Sequence, residues 1–203
     1  MPVREIALVA RAQGLRTHLL TRDTLEALAD ADDLPTFARR LSRVGASIDP
    51  IGDTPDVFAI ERAAGRTAHR HLRTLYRWQE QARGVLDVFA ADQDRRSLRA
   101  LLRGAAQGAP TEARLDGLVP TPLLPQRAHA ELARQPSPAA VVDQLMLLSH
   151  PDAPRLAPLV HTSQPDLVAV EAALLRGFAE RATRLAAGTD ETSREFVGTL
   201  IDI

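Results

Sequence analysis

Apolar residues recur along most of the chain at intervals of three and four, which is the period of an amphipathic α-helix. The longest helix is predicted over residues 57–82, and a first helix is predicted over residues 6–20. Two shorter helices are predicted within residues 21–41, and another is predicted to end within SLRALLRGAAQG, residues 97–108. The apolar stripe of the longest helix is expected to include Ile60, Ala64, Ala68, Leu72, Leu75 and Trp78.

A few residue types predict where these helices begin and end. Asp23, followed three residues later by Glu26, resembles a capping box. The Ser-Pro pair at residues 137–138 suits the N-cap and the first position of a helix. Gly104 and Gly108 are both predicted to end the helix that precedes them.

Clustered proline and glycine residues suggest a division into two helical modules. The first module, which includes the N-terminal helix, is predicted over residues 1–108. A Pro/Gly linker is predicted over residues 109–125, and the second module is predicted over residues 126–203.

Acidic positions recur at similar offsets in the two modules. Glu61 corresponds to Glu171 at the start of a long helix, and Asp94 corresponds to Asp202 in the element that follows. Such a recurrence indicates a duplicated unit, whose second copy is expected to be cut short after Asp202. The predicted fold class is therefore all-α, with repeated helical-bundle modules.

Composition narrows the classes of function. Among 203 residues only 3% are aromatic, so leucine, alanine and valine must build the core, which favours helices over a sheet. Cysteine is absent, which excludes disulfides and Cys-ligated zinc. All 25 basic residues are arginine, so a Walker A loop or a Schiff base would lack its lysine.

Neither a signal peptide nor a membrane span is expected, because the apolar runs are short and carry charges.

The arginines form the most distinctive chemical pattern. Residues 60–103 carry a formal charge of +5, whereas residues 137–203 carry −4. Arg95, Arg99 and Arg103 follow each other at intervals of four, so they are predicted to form one stripe along a helix. This stripe is a candidate surface for binding an acidic protein partner, and a merely solvated face is the alternative.

No group of residues predicts catalysis. The six histidines are scattered, and His69 and His71 point apart on a helix, so neither a metal site nor a catalytic base is expected. Glu61 and Glu171 could act as an acid–base pair, but a structural ion pair or a partner of the helix dipole is the preferred interpretation of each. We therefore expect a protein that is not an enzyme and has no cofactor.

Four segments, taken in order, resemble the C subunit of archaeal and bacterial V/A-type ATPases and its eukaryotic equivalent, the d subunit of the vacuolar ATPase. They are LRTHLLTRDTLEALADADDLPTFARRL, IERAAGRTAHRHLRTLYRW, DVFAADQDRRSLRALLRGAAQG and EFVGTLIDI. The resemblance implies family-motif positions at Glu61, Asp94, Leu98, Gly104, Glu171 and Asp202.

The resemblance also implies a mechanical function in ion transport, including proton transport. Such a protein is a curved or funnel-like array of helical bundles on the cytoplasmic face of the membrane. It is a peripheral protein that links the rotor shaft subunits to the proteolipid rotor ring. No direct small-molecule substrate and no nucleic acid is expected among its partners.

Two departures from the family pattern stand out. Ser97 occupies the position at which the family has asparagine after Asp94, and the chain is expected to hold about two of the usual three modules. Two other functions remain open at this point, a free-standing helical adaptor that binds other proteins and a nucleic-acid-binding protein that uses the arginine-rich surface.

Overall fold

The computed structural model describes residues 3–44, 55–78, 84–189 and 191–201 of the chain. Over these ranges the chain forms eleven α-helices and no strands, which confirms the all-α prediction. The helices are α1 (Val3–Arg16), α2 (Arg22–Ala29), α3 (Leu34–Val44), α4 (Val57–Trp78), α5 (Val85–Ala106), α6 (Thr111–Leu115), α7 (Gln126–Ala133), α8 (Pro138–Leu147), α9 (Ala153–Val160), α10 (Leu167–Ala186) and α11 (Glu191–Ile201).

The chain divides into two compact units, Met1–Gln81 and Ala82–Ile203. In the first unit α1 packs on α4, and α2 packs on α3. In the second unit α5 and α10 form the most extensive helix pair, and the other helices pack around them or on one another. The predicted modules 1–108 and 126–203, the linker between them and their duplication stay predictions.

The helix N-termini confirm one predicted cap and correct another. Ser137 caps α8, since its Oγ accepts a hydrogen bond of 3.2 Å from the Ala140 amide. The capping box at Asp23 is wrong, because Thr21 has the extended backbone of an N-cap and accepts from the Thr24 amide. Asp23 lies instead in the first turn of α2, where its charge favours the helix dipole.

The C-terminus of α5 separates the roles of the two glycines that follow Arg103. Gly108 has a φ of +64°, and the Ala109 amide donates to the Gly104 carbonyl over 2.9 Å. These are the features of a Schellman motif, so Gly108 ends the helix as predicted. The prediction that Gly104 also ends it is wrong, because Gly104 lies within α5.

The predicted apolar stripe of α4 is wrong at its two alanines, whereas Ile60, Leu72 and Leu75 are half-buried. Ala64 and Ala68 are exposed, whereas Ala63 and Thr67 are buried. Adjacent small residues leave the helical phase ambiguous, and packing in the first unit selects Ala63. The side chain of Trp78 lies outside the described part of the chain.

The core of the second unit contains most of the leucines of α5. Leu98, a family-motif position, is completely buried, as is Leu101. A smaller cluster joins Val88 to Phe178 of α10 and Val197 of α11. Residues that pack around Leu98 and Leu101 in the larger cluster include Leu102, Leu124, Leu132, Val141, Val142, Leu145, Leu156 and Leu174.

Candidate functional site

The predicted arginine stripe lies along α5 and faces α10. Nε of Arg99 lies 3.1 Å from Oε2 of Glu171, and Nε of Arg103 donates to Oε1 of the same carboxylate. The arginine side chains are each 48% exposed, and Glu171 lies between them on the second turn of α10. Two guanidinium groups therefore share one carboxylate, which confirms the structural ion pair expected at Glu171.

Arg95 has a different environment from the other two arginines. Its Nε and one terminal nitrogen donate to Oδ1 of Asp92 over 2.9 and 2.6 Å. The guanidinium carbon lies 5.6 Å from the ring centroid of Phe178, within the range of a cation–π interaction. Because this side chain is only 20% exposed, Arg95 supports the helix pair more than it faces solvent.

An apolar surface lies beside the two exposed arginines. Val168 and Leu175, seven residues apart on α10, are 76% and 50% exposed. Both line a groove together with Arg99 and Glu171. We call Arg99, Arg103, Glu171, Val168 and Leu175 together the α5–α10 surface.

Asp94, a family-motif position, lies inside the second unit rather than on its surface. Its carboxylate is 2% exposed and accepts a 2.5 Å hydrogen bond from the hydroxyl of Thr121. Burial raises the pKa of Asp94 to about 7, although the Thr121 hydrogen bond and Arg181 act in the opposite direction. Thr121 Oγ1 in turn accepts from the Leu124 amide, so Asp94 holds the segment that leads into α7.

A second buried carboxylate, Asp152, lies at the N-terminus of α9. Both its oxygens accept hydrogen bonds from the two terminal nitrogens of Arg181 on α10, over 2.5 and 2.8 Å. His150 Nδ1 accepts from the Asp152 amide, and burial lowers the pKa of His150 to about 4. The ion pair between Asp152 and Arg181 is therefore a buried connection between the start of α9 and α10.

Gly104, another family-motif position, permits a close approach between α5 and Arg114. A Cβ atom at Gly104 would lie 2.7 Å from the Cγ atom of Arg114. Arg114 itself is buried and donates to the carbonyls of Ala109, Ala133 and Gln135. It thereby joins the ends of α5 and α7.

The remaining family-motif positions lie elsewhere. Glu61 is exposed on α4, in the first unit. Asp202 lies outside the described residues. Leu98, Asp94, Gly104 and Glu171 all belong to the α5–α10 pair or to its immediate support.

The sequence interpretation missed the interior polar residues Arg114, Thr121, Asp152 and Arg181. One signal in the sequence was available, because Leu-Leu-Arg-Gly occurs at residues 101–104 and again at 174–177. In the second copy a Cβ at Gly177 would overlap Oδ1 of Asp152. Both glycines thus lie directly against a buried ionic side chain.

Neither a cluster of potential metal ligands nor a helix able to span a membrane is found among the described residues. These residues include no group of three or more potential ligands that could hold a metal ion. Of the helices that the structure describes, none has the length and apolarity needed to cross a bilayer.

The described residues thus define an all-α protein. It has a network of buried polar side chains, and the α5–α10 surface is a candidate for binding a partner. A profile of the ATP synthase (C/AC39) subunit family matches residues 8–203, and the chain belongs to this family. The family resemblance of the sequence motifs is therefore confirmed, and it assigns the chain to the accessory subunits of the rotary V/A-type ATPases. No curated protein sequence matches the chain significantly.

Proposed function

We propose that the protein is the non-catalytic coupling component of its ATPase, which links the central rotor shaft to the proteolipid ring of the membrane rotor. Family membership over residues 8–203 is the observation that carries this proposal. In this role the protein lies at the cytoplasmic face of the membrane and transmits torque by surface contacts. Its position between ATP hydrolysis and ion movement requires no chemistry of its own.

The coupling role predicts binding to two different partners. Purified protein is expected to bind both the isolated shaft subunits and the detergent-solubilised rotor ring, and to bridge them when all three are mixed. Co-sedimentation and size-exclusion chromatography of the pairwise and ternary mixtures measure this. Binding to only one partner, or to neither, would contradict the coupling role without affecting family membership.

The α5–α10 surface supports a docking site for a partner segment with both acidic and apolar side chains. Arg99 and Arg103 each contact Glu171 through Nε, so a partner carboxylate could bind to their terminal nitrogens. One carboxylate offsets only one of these two charges, so the surface favours a partner carboxylate. Val168 and Leu175 supply the adjacent apolar area that such a partner would cover.

Neutralising the ionic part of this surface is expected to weaken binding of the shaft subunits. The triple variant Arg99→Gln, Arg103→Gln, Glu171→Gln removes the charges together, so no carboxylate remains without its arginines. Its Kd is expected to rise about tenfold, because one or two buried charge-assisted contacts are lost. Titration calorimetry at two salt concentrations measures the change, and the variant should also show weaker salt dependence.

A matched control keeps this result specific. Arg127 and Glu131 form an ion pair at the surface of α7, and the double variant Arg127→Gln, Glu131→Gln removes one charge of each sign there. This control is expected to bind like the unaltered protein. Equal affinities for the triple variant and the control, with unchanged helical circular dichroism, would show that the α5–α10 surface does not dock the shaft.

A further inference from the structure

The interior of the second unit contains an unequal number of acidic and basic groups around Asp94. Asp94 and Asp152 are both buried, and each is acted on by the guanidinium of Arg181. Asp152 takes hydrogen bonds from both terminal nitrogens of Arg181. Asp94 is left with the hydroxyl of Thr121 as its hydrogen-bond donor. One positive charge therefore has to serve two buried carboxylates.

His150 does not supply the missing positive charge. Its Nδ1 accepts a hydrogen bond from the Asp152 amide, and an imidazole ring that is unprotonated at Nδ1 carries no charge. Its Nε2 is buried without a hydrogen-bond partner, an environment that penalises an imidazolium. The lowered pKa of His150, about 4, agrees with this geometry and follows mainly from burial.

We propose that Asp94 and Thr121 form a buried proton-binding site, which takes up one proton from water when the chain folds near neutral pH and thereby holds the 121–124 turn closed. A neutral carboxyl group removes the uncompensated charge while the Thr121 hydroxyl continues to donate to its Oδ1. Loss of the proton places a second negative charge beside Asp152, and opening of the turn toward water relieves that repulsion.

The turn is the structural element that this proton would control. Thr121 Oγ1 accepts from the Leu124 amide over 2.9 Å, and the Thr121 amide donates to the Leu124 carbonyl over 3.1 Å. Leu124 is completely buried, and Pro125, which follows it, is the N-cap of α7. A change at Asp94 is therefore transmitted through one hydroxyl to the position where α7 begins.

The charged surroundings of Asp94 agree with this assignment. Arg181 on α10 and Asp152 before α9 act on its charge with opposite signs, and burial has the largest effect, raising the pKa of Asp94 to about 7. Titratable groups on the other helices that pack against α5 have different surroundings. Arg114 of α6 binds carbonyls, Glu131 of α7 pairs with Arg127, and Asp143 of α8 pairs with His161. His129 of α7 is buried, and Arg194 and Glu195 of α11 are exposed.

The sign of the pH dependence follows from the folded and unfolded pKa values. The pKa of Asp94 rises from its ordinary value of 3.8 to about 7 on folding, so the folded state binds one more proton than the unfolded state between pH 3.8 and pH 7. Its contribution to stability is complete below pH 3.8 and is lost as pH rises through 7. His150 acts oppositely between about 4 and 6.5, because its folded pKa is the lower one.

A comparison of the full chain with Asp94→Asn isolates the proton. The ratio of their folding equilibrium constants, from urea unfolding at pH 5 to 8.5, cancels the opposing contribution of His150. This ratio is expected to fall about tenfold per pH unit up to pH 7 and then to level off, as for one proton. A ratio independent of pH over this range would overturn the proposal.

Two measurements keep the proposal testable if Asp94→Asn does not fold. In the unaltered chain, the ¹³C resonance of the Asp94 carboxyl is expected to titrate near pH 7, and a midpoint below 5 would refute the buried proton. The Leu124 amide should lose about tenfold in exchange protection between pH 6 and 8, after correction for intrinsic rates. The Ala140 amide, capped by Ser137, is the matched control and should keep its protection.

Discussion

Replacement of Arg181 by methionine is expected to lower the free energy of unfolding by about 3–5 kcal/mol, because it leaves the buried Asp152 carboxylate without its ionic partner. Both oxygens of Asp152 bind the Arg181 guanidinium, and the carboxylate is 1% exposed. The change also removes a positive charge that lowers the pKa of Asp94. Urea unfolding at pH 7, followed by circular dichroism, measures the loss.

Arg155→Met provides a closely matched control for this prediction. Arg155 on α9 pairs with Glu180 on α10, so it joins the same two helices, but the pair lies at the surface. Solvent screening makes such a pair weak, and its loss is expected to matter far less. Adding Asp152→Leu to Arg181→Met should recover much of the lost stability, because no unpaired charge then remains. Equal losses for Arg181→Met and Arg155→Met would contradict a buried ionic connection.

Several features that depend on neighbouring residues could be predicted from the sequence. The Ser137 cap, the two short helices α2 and α3, and the alignment of Arg99 with Arg103 follow from spacings of three or four residues. The predicted buried face of α4 was wrong at Ala64, because Ala63 is the buried residue. Alanine occurs on both faces of a helix, so two adjacent alanines do not indicate which one is buried.

The interior polar contacts were beyond sequence reasoning, since their partners are distant along the chain. Thr121 lies 27 residues from Asp94, and Arg181 lies 29 residues from Asp152. An isolated aspartate or arginine in a helical sequence is usually a surface residue, and the repeated Leu-Leu-Arg-Gly does not identify the distant side chain that each glycine approaches. Knowledge of which helices pack together is needed before such pairs can be recognised.

The family-motif positions acquire physical roles only through this packing. Glu171 is the shared acceptor of two arginines, and Leu98 is a core residue. Asp94 is marked in the sequence only as a recurring motif position, and in the fold it holds an internal turn. Four of the six family-motif positions therefore belong to the α5–α10 pair or to its support, and the proposed coupling role would require that part of the chain to be rigid.

Gly104→Ala is expected to destabilise the protein by about 2–3 kcal/mol, although alanine has a higher helix propensity than glycine. The added methyl group would lie 2.7 Å from Cγ of Arg114, well inside van der Waals contact. Arg114 has little freedom to move aside, because its guanidinium binds three carbonyls at the ends of α5 and α7. Displacing it leaves buried carbonyl groups without donors, and that loss exceeds the gain in helix propensity.

The cause of this effect can be separated from any general effect of glycine in a helix. Gly14 of α1 has no other atom within 4 Å of an added Cβ, so Gly14→Ala should be neutral or stabilising by up to about 1 kcal/mol. In a double-mutant cycle, Gly104→Ala should cost much less when Arg114 is already methionine, because the clash and the displaced hydrogen bonds share one origin. Strictly additive losses would mean that Gly104 is required for a reason other than its contact with Arg114.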